Sequence, residues 1–165
     1  MSVREIRVMG DPVLRQKAEP LAAVDEDTRR LIQDMFETMY EADGVGLAAP
    51  QVGVSKRIIV VDPHEPEVKP IGLINPVIVR LSDEVARGEE GCLSIPGLKD
   101  IVERPDAVVV EGIDADGKPL RIEAEGLFAR VLQHEVDHLD GVLFVDRVSP
   151  LKRKMLLKRW QKVRP

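Results

Sequence analysis

The sequence predicts an α+β fold: antiparallel sheets packed around a central helix that carries His134-Glu135-Val136-Asp137-His138, with one helix N-terminal and one C-terminal to it. Three observations carry this prediction. Apolar residues recur at helical spacing in three separated segments. Strand-like segments occupy the chain between them. The clearest strand pair, residues 107–113 and 118–124, is joined by Asp114-Ala115-Asp116-Gly117, a tight-turn sequence. Strands thus follow one another as hairpins rather than alternating with helices, which argues against a Rossmann-type parallel sheet.

The elements follow in order. Residues 26–43 read as a helix, because Leu31, Ile32, Met35, Phe36, Met39 and Tyr40 fall at helical spacing and Gly44 stops the run. Met35 and Met39 belong to its core face. Gly44-Val45-Gly46-Leu47-Ala48-Ala49-Pro50-Gln51 is too glycine-rich for a helix interior. Arg57 to Asp62 and Gly72 to Arg80 are strand candidates. Residues 63–70, rich in proline and acid, form a solvated loop, and His64 in it reads as a solvated side chain. The hairpin comes next, then the central helix between Gly126 and Gly141. Ser149-Pro150 opens the last helix, with serine as N-cap and proline in the first turn. Leu151, Met155, Leu156, Trp160 and Val163 recur near helical spacing along it as one apolar stripe, and Trp160 is its apolar anchor.

Composition narrows the function classes. The 165 residues fit one domain with a sizeable core. A hydrophobic share of 44% and a charged share of 32% are ordinary for a soluble globular protein. No apolar run approaches the roughly 20 residues of a membrane span, and Met1-Ser2-Val3-Arg4-Glu5 lacks the pattern of a secretion signal. One cysteine cannot form an internal disulfide, so a reducing cytoplasm is the expected compartment. The net charge is −5, yet residues 151–165 hold seven cations and no acid. A basic tail on an acidic body is not a DNA-binding design; it is a local patch for an anionic partner.

The chemistry concentrates in His134, Glu135 and His138. Two histidines four residues apart on a helix present both imidazoles on one face, where they can bind one divalent metal ion, with Glu135 beside them as a general base. A catalytic site of this kind takes three protein ligands and leaves one position open. Cys92 is the candidate third. Periodicity supports a built site over a chance motif: Leu127, Val131, His134 and His138 share one stripe of the helix, and Phe128, Leu132, Glu135 and Leu139 the next. Polar groups that continue an apolar face need partners, which a metal would supply. Arg130, Gln133, Asp137 and Asp140 form the opposite, solvated stripe.

Three segments now stand together: Gly44 to Gln51, Glu90-Gly91-Cys92-Leu93-Ser94, and Gln133 to His138. In these motifs and their order the chain resembles the peptide deformylases of the bacterial type, from about Ile6 to the final helix. The resemblance implies a hydrolase that removes the N-formyl group from the initiator methionine of nascent polypeptides. It implies a metal held by Cys92, His134 and His138, Fe(II) in the first place, with zinc, nickel or cobalt as substitutes. Glu135 would act as general base and then acid, with Gln51 and the backbone N–H of Leu93 donating to the oxyanion. Substrate backbone would pair near Val45, Gly46 and Gly91, and the methionine side chain would lie against Val45, Val131 and the aliphatic part of Glu90. The resemblance equally implies Glu90 as an acid paired with Arg104. The resemblance also implies docking of the basic terminal helix on the ribosome.

Two other readings compete. A zinc endopeptidase would take its third ligand C-terminal to the motif, as a glutamate or a third histidine; no histidine follows His138, and Cys92 lies upstream. A binding module with a structural metal would need a fourth protein ligand, and there is no second cysteine.

Overall fold

The computed structural model describes residues 2–165. Three helices, α1 (Glu26–Glu41), α2 (Gly126–Leu139) and α3 (Pro150–Val163), accompany seven strands. Five strands form one antiparallel sheet in the order β1 (Gly46–Ala48), β2 (Ile58–Val61), β3 (Ile71–Leu81), β6 (Ala107–Ile113), β7 (Pro119–Glu125). The other two, β4 (Val85–Gly91) and β5 (Lys99–Pro105), make a separate antiparallel ribbon. This is the α+β architecture expected, with the motif helix at its centre.

The run Ile58-Ile59-Val60-Val61 is apolar at every position because β2 is covered on both faces. Ile59 and Val61, with Leu73 of β3, face Val131, Leu132, Val136 and Leu139 of α2. Ile58 and Val60, with Ile74, face Leu31, Ile32, Met35 and Met39 of α1. A third cluster joins Ile95, Leu98 and Val102 to Phe144, Leu156 and Trp160, so the terminal helix packs beside the segment that carries Cys92.

Local chemistry fixes the ends. Asp25 caps α1 by accepting from the Thr28 N–H, and Ser149 caps α3 by accepting from the Lys152 N–H. The predicted turn closes β6 onto β7 with Gly117 at φ 81° and Ile113 opposite Pro119. At the far end of α2, Arg57 donates to the Leu139 carbonyl at 3.0 Å and pairs with Asp140 at 3.1 Å, meeting the negative end of the helix with a cation. Gly141 follows at φ 74°; a Cβ there would lie 2.6 Å from the Arg15 carbonyl oxygen. Only glycine allows the chain to leave the motif helix this way.

Two expectations need correction. Asp137 and Gln133 are not on a solvated stripe but buried. β5 covers that side of α2: Asp137 accepts from Arg104 and Arg147, and Gln133 donates to the Pro105 carbonyl at 2.9 Å. On α3 only part of the apolar stripe packs inward: Leu156 and Trp160 are buried, while Leu151, Met155 and Val163 are exposed. No helix among the described residues is long and apolar enough to cross a membrane.

Candidate metal centre and active site

Three elements converge on one cleft of about 480 Å³. β1, an edge strand, supplies Gly46, preceded by Gly44 and Val45; the end of β4 supplies Glu90, Gly91 and then Cys92 and Leu93; α2 supplies Val131, His134 and Glu135. Every residue predicted for the site except His138 lines this cleft, and His138 lies directly behind it, its Nε2 3.3 Å from the Cys92 sulfur.

The donor set is compact. One ligand atom each from Cys92, His134 and His138 lies within 4.8 Å of the others. Ligand bonds of roughly 2.0–2.3 Å in a tetrahedral arrangement set donors roughly 3.3–3.8 Å apart, so these three fit a single ion. The second nitrogen of His134 is fixed: Nδ1 lies 2.9 Å from Glu90 Oε1, which leaves Nε2 for the site. Glu90 in turn accepts from Arg104 at 2.6 Å and from Arg130 at 2.7 Å. Burial works to raise the Glu90 carboxyl, and the His134 and Arg104 hydrogen bonds outweigh it and hold the group down at about 2. A permanent carboxylate therefore orients the His134 ring.

Electrostatics also fit a cation. Burial opposes charge on His134, yet the Cys92 sulfur, Glu135 and Glu90 together push its pKa well above the ordinary histidine value. Burial and the nearby His134 push His138 well below it. The surroundings thus demand positive charge between sulfur and carboxylates, and a divalent ion meets that demand.

Glu135 is buried between α2 and β1, and its Oε1 makes no hydrogen bond among the described residues. Gly46 is what admits it: a Cβ on Gly46 would stand 2.5 Å from Glu135 Oε2 and 2.7 Å from Val131 Cγ1. Burial pushes the Glu135 carboxyl up to about 7, where a carboxylate can take and return a proton. Gln51, in the turn after β1, points its Nε2 toward Cys92 Sγ at 3.6 Å, with its Oε1 held by the Ala48 N–H at 2.9 Å.

Sequence reasoning did not assign Arg130, Ser94 or Asp137 to this neighbourhood. Arg130 lies on the stripe expected to be solvated, yet it donates to Glu90, to the Val102 carbonyl and to the Ala86 carbonyl. Ser94, fully buried, accepts from Gln51 Nε2 at 3.1 Å. Its place two residues after Cys92 was the available signal. His64 is exposed, as expected, and takes no part.

Comparison with known proteins agrees with this geometry. The family described as polypeptide deformylase matches residues 3–154. The peptide deformylase of Rhizobium meliloti is 51% identical over 164 residues, covering 98% of this chain and 94% of that protein. That of Thermodesulfovibrio yellowstonii is 50% identical, with 98% of each chain covered. The crystal structure of peptide deformylase from Ehrlichia chaffeensis superposes with a TM-score of 0.92 at 41% identity, covering 98% of this chain and 96% of that one. A cysteine and two histidines brought together beside a buried glutamate, in a chain matched almost from end to end, have one reading: the chain belongs to the polypeptide deformylase family.

Proposed function

We propose that this chain hydrolyses the formyl group, as formate, from the N-formylmethionine of nascent polypeptides, with Cys92, His134 and His138 holding the metal. The observation that carries the proposal is the convergence of these three donors with Glu135 and Gln51 at one cleft, which Cys92, His134, Glu135 and Gln51 line and His138 backs. A divalent ion held by Cys92, His134 and His138 would supply Lewis acidity to water and to the formyl group. Glu135 takes a proton from the attacking water and returns one to the departing amine. Gln51 Nε2 and the backbone N–H of Leu93 donate to the oxyanion that develops on the formyl oxygen. Fe(II) is the native ion in this reading, with zinc, nickel or cobalt as substitutes; mixed sulfur and imidazole donors suit all four.

The substrate backbone extends along the β1 edge beside Val45 and Gly46 and across to Gly91, so affinity comes from main-chain pairing that ignores sequence. Val45, Val131 and the aliphatic stem of Glu90 receive the methionine side chain; Leu127, half-exposed in the same cleft, extends that wall. The reaction belongs in the cytoplasm, and residues 1–165 act as one catalytic domain. An anaerobic assay of formate release tests the function. Formyl-Met-Ala-Ser should be cleaved at least about 100-fold faster than acetyl-Met-Ala-Ser, because an added methyl must fit where a hydrogen sat. Equal rates would refute a formyl-selective pocket.

We also propose that the terminal helix docks on ribosomal RNA. Lys152 pairs with Asp100 and Arg153 with Asp146, but Lys154, Lys158, Arg159, Lys162 and Arg164 are exposed and make no ion pair among the described residues. Because Trp160 is packed in the core, truncation would damage the body, so the test keeps it. Replacing Lys154, Lys158, Arg159 and Lys162 with glutamine should weaken ribosome binding at least about tenfold and flatten its salt dependence, with cleavage of a short formyl-peptide retained. Unchanged affinity would leave the helix purely structural.

A further inference from the structure

We infer that Ser94 is a positioning residue for hydrolysis: its hydroxyl oxygen anchors one N–H of the Gln51 amide and thereby aims the other at the reacting oxygen. The inference rests on the reading of Gln51 as an oxyanion donor and extends it to a residue that touches neither substrate nor metal.

The Gln51 amide has a determined orientation. Its Oε1 lies 2.9 Å from the Ala48 backbone nitrogen, and a backbone N–H can only donate, so the oxygen must face it. Nε2 therefore faces the other way, with two hydrogens to place. One partner is Ser94 Oγ at 3.1 Å, an ordinary hydrogen-bond length. The other neighbour is the Cys92 sulfur at 3.6 Å, a long contact to a weak acceptor. One N–H is held firmly, and the second is held loosely on the side where the formyl group must arrive.

Ser94 is itself held. It is fully buried. Its carbonyl accepts from the Met9 N–H at 2.8 Å, and its own N–H lies 3.4 Å from the Cys92 sulfur. The hydroxyl thus belongs to the same short loop that carries the metal-ligating sulfur. The consequence is torsional. The last side-chain torsion of glutamine is broad and roughly two-fold. An amide fixed at Oε1 and at one N–H has lost that freedom, so its remaining N–H is preorganised before charge develops. Without the hydroxyl, one buried N–H has no good partner and the amide tilts to find one.

The experiment is a double-mutant cycle on the metal-loaded enzyme, with metal content and thermal midpoint matched for every variant. Ser94→Ala should lower kcat about 10–100-fold with KM within about twofold, the effect of a misdirected donor rather than of weaker binding. Gln51→Ala should lower kcat by at least as much. In the Gln51→Ala background, adding Ser94→Ala should change kcat less than about twofold, since no amide remains to be aimed. Ser94→Thr, which keeps the hydroxyl, should recover most of the rate. If alanine prevents folding, Ser94→Gly also removes the hydroxyl, together with Cβ, and gives a second reading of its loss. Equal losses from Ser94→Ala in both backgrounds would overturn the inference and shift the role of Ser94 to the Cys92 loop. So would wild-type kcat in Ser94→Ala, or a loss confined to KM. Wild-type kcat in the Gln51→Ala single variant would instead bring down the oxyanion reading of Gln51, and the inference with it.

Discussion

A Glu135→Gln chain is expected to retain its metal and lose deformylation by about 10²–10⁴-fold in kcat, the usual size of a general acid–base contribution. The substitution is nearly isosteric. It keeps the packing against Gly46 and Val131, where no extra atom can be admitted, and it leaves Cys92, His134 and His138 untouched. What disappears is a group that can take a proton. Metal content measured beside formate release separates the two effects. A metal-loaded Glu135→Gln enzyme with near-normal turnover would remove Glu135 from the mechanism.

The same residue sets a pH dependence. The base must be ionised, so the rate falls as pH drops through its pKa. Burial is the largest cause that carries that value up to about 7, with His134 working against it, and a divalent ion beside it draws it lower, since nearby positive charge favours the carboxylate. The acid limb of the kcat/KM profile therefore lies below about pH 7 in the wild type. In Glu135→Gln the residual activity should lose that limb.

The parts of the structure legible in the sequence are those written in a single period. α1 and α2 start and stop within about two residues of the expected positions, because each has an apolar face of helical spacing and glycine just beyond its end. The β6–β7 hairpin was legible from its turn. The β4–β5 ribbon was not. Val85-Ala86-Arg87-Gly88-Glu89-Glu90-Gly91 is charged and glycine-rich, a poor strand by propensity. It is tied to α2 by buried ions instead: Glu90 to Arg104, Arg130 and His134, and Arg104 on to Asp137. For the same reason Asp137 read as solvated. A carboxylate opposite an apolar stripe looks exposed until the chain brings Arg104 from β5 and Arg147 from beyond α2 to cover it. Local spacing reveals candidate ligands on one helix; it does not reveal which distant cations will neutralise their supports. Cys92 was legible as the one cysteine able to complete three ligands, Gln51 and Leu93 only through motif resemblance, and the cleft brings all three together with His134 and Glu135.

The second large effect concerns the sulfur. Cys92→Ala should lower metal affinity by more than about 100-fold, beyond the 10–100-fold that loss of a supporting hydrogen bond typically costs, and activity should vanish. Two imidazoles on one helix would remain, with no further donor grouped with them among the described residues to complete three ligands. The change also strips a weak acceptor from Gln51 Nε2 and from the Ser94 N–H, so the donors to the oxyanion loosen together with the ion. Excess metal should restore little, because a two-ligand site neither holds nor orients the ion. Redox behaviour follows from the same atom. The wild type loaded with Fe(II) should lose activity in air, since both the iron and a partly exposed thiolate can oxidise, whereas the zinc or nickel form should persist longer. Metal analysis after dialysis, run beside formate release under anaerobic conditions, measures both effects. A Cys92→Ala protein that turns over normally with no detectable metal would refute the assignment of this centre.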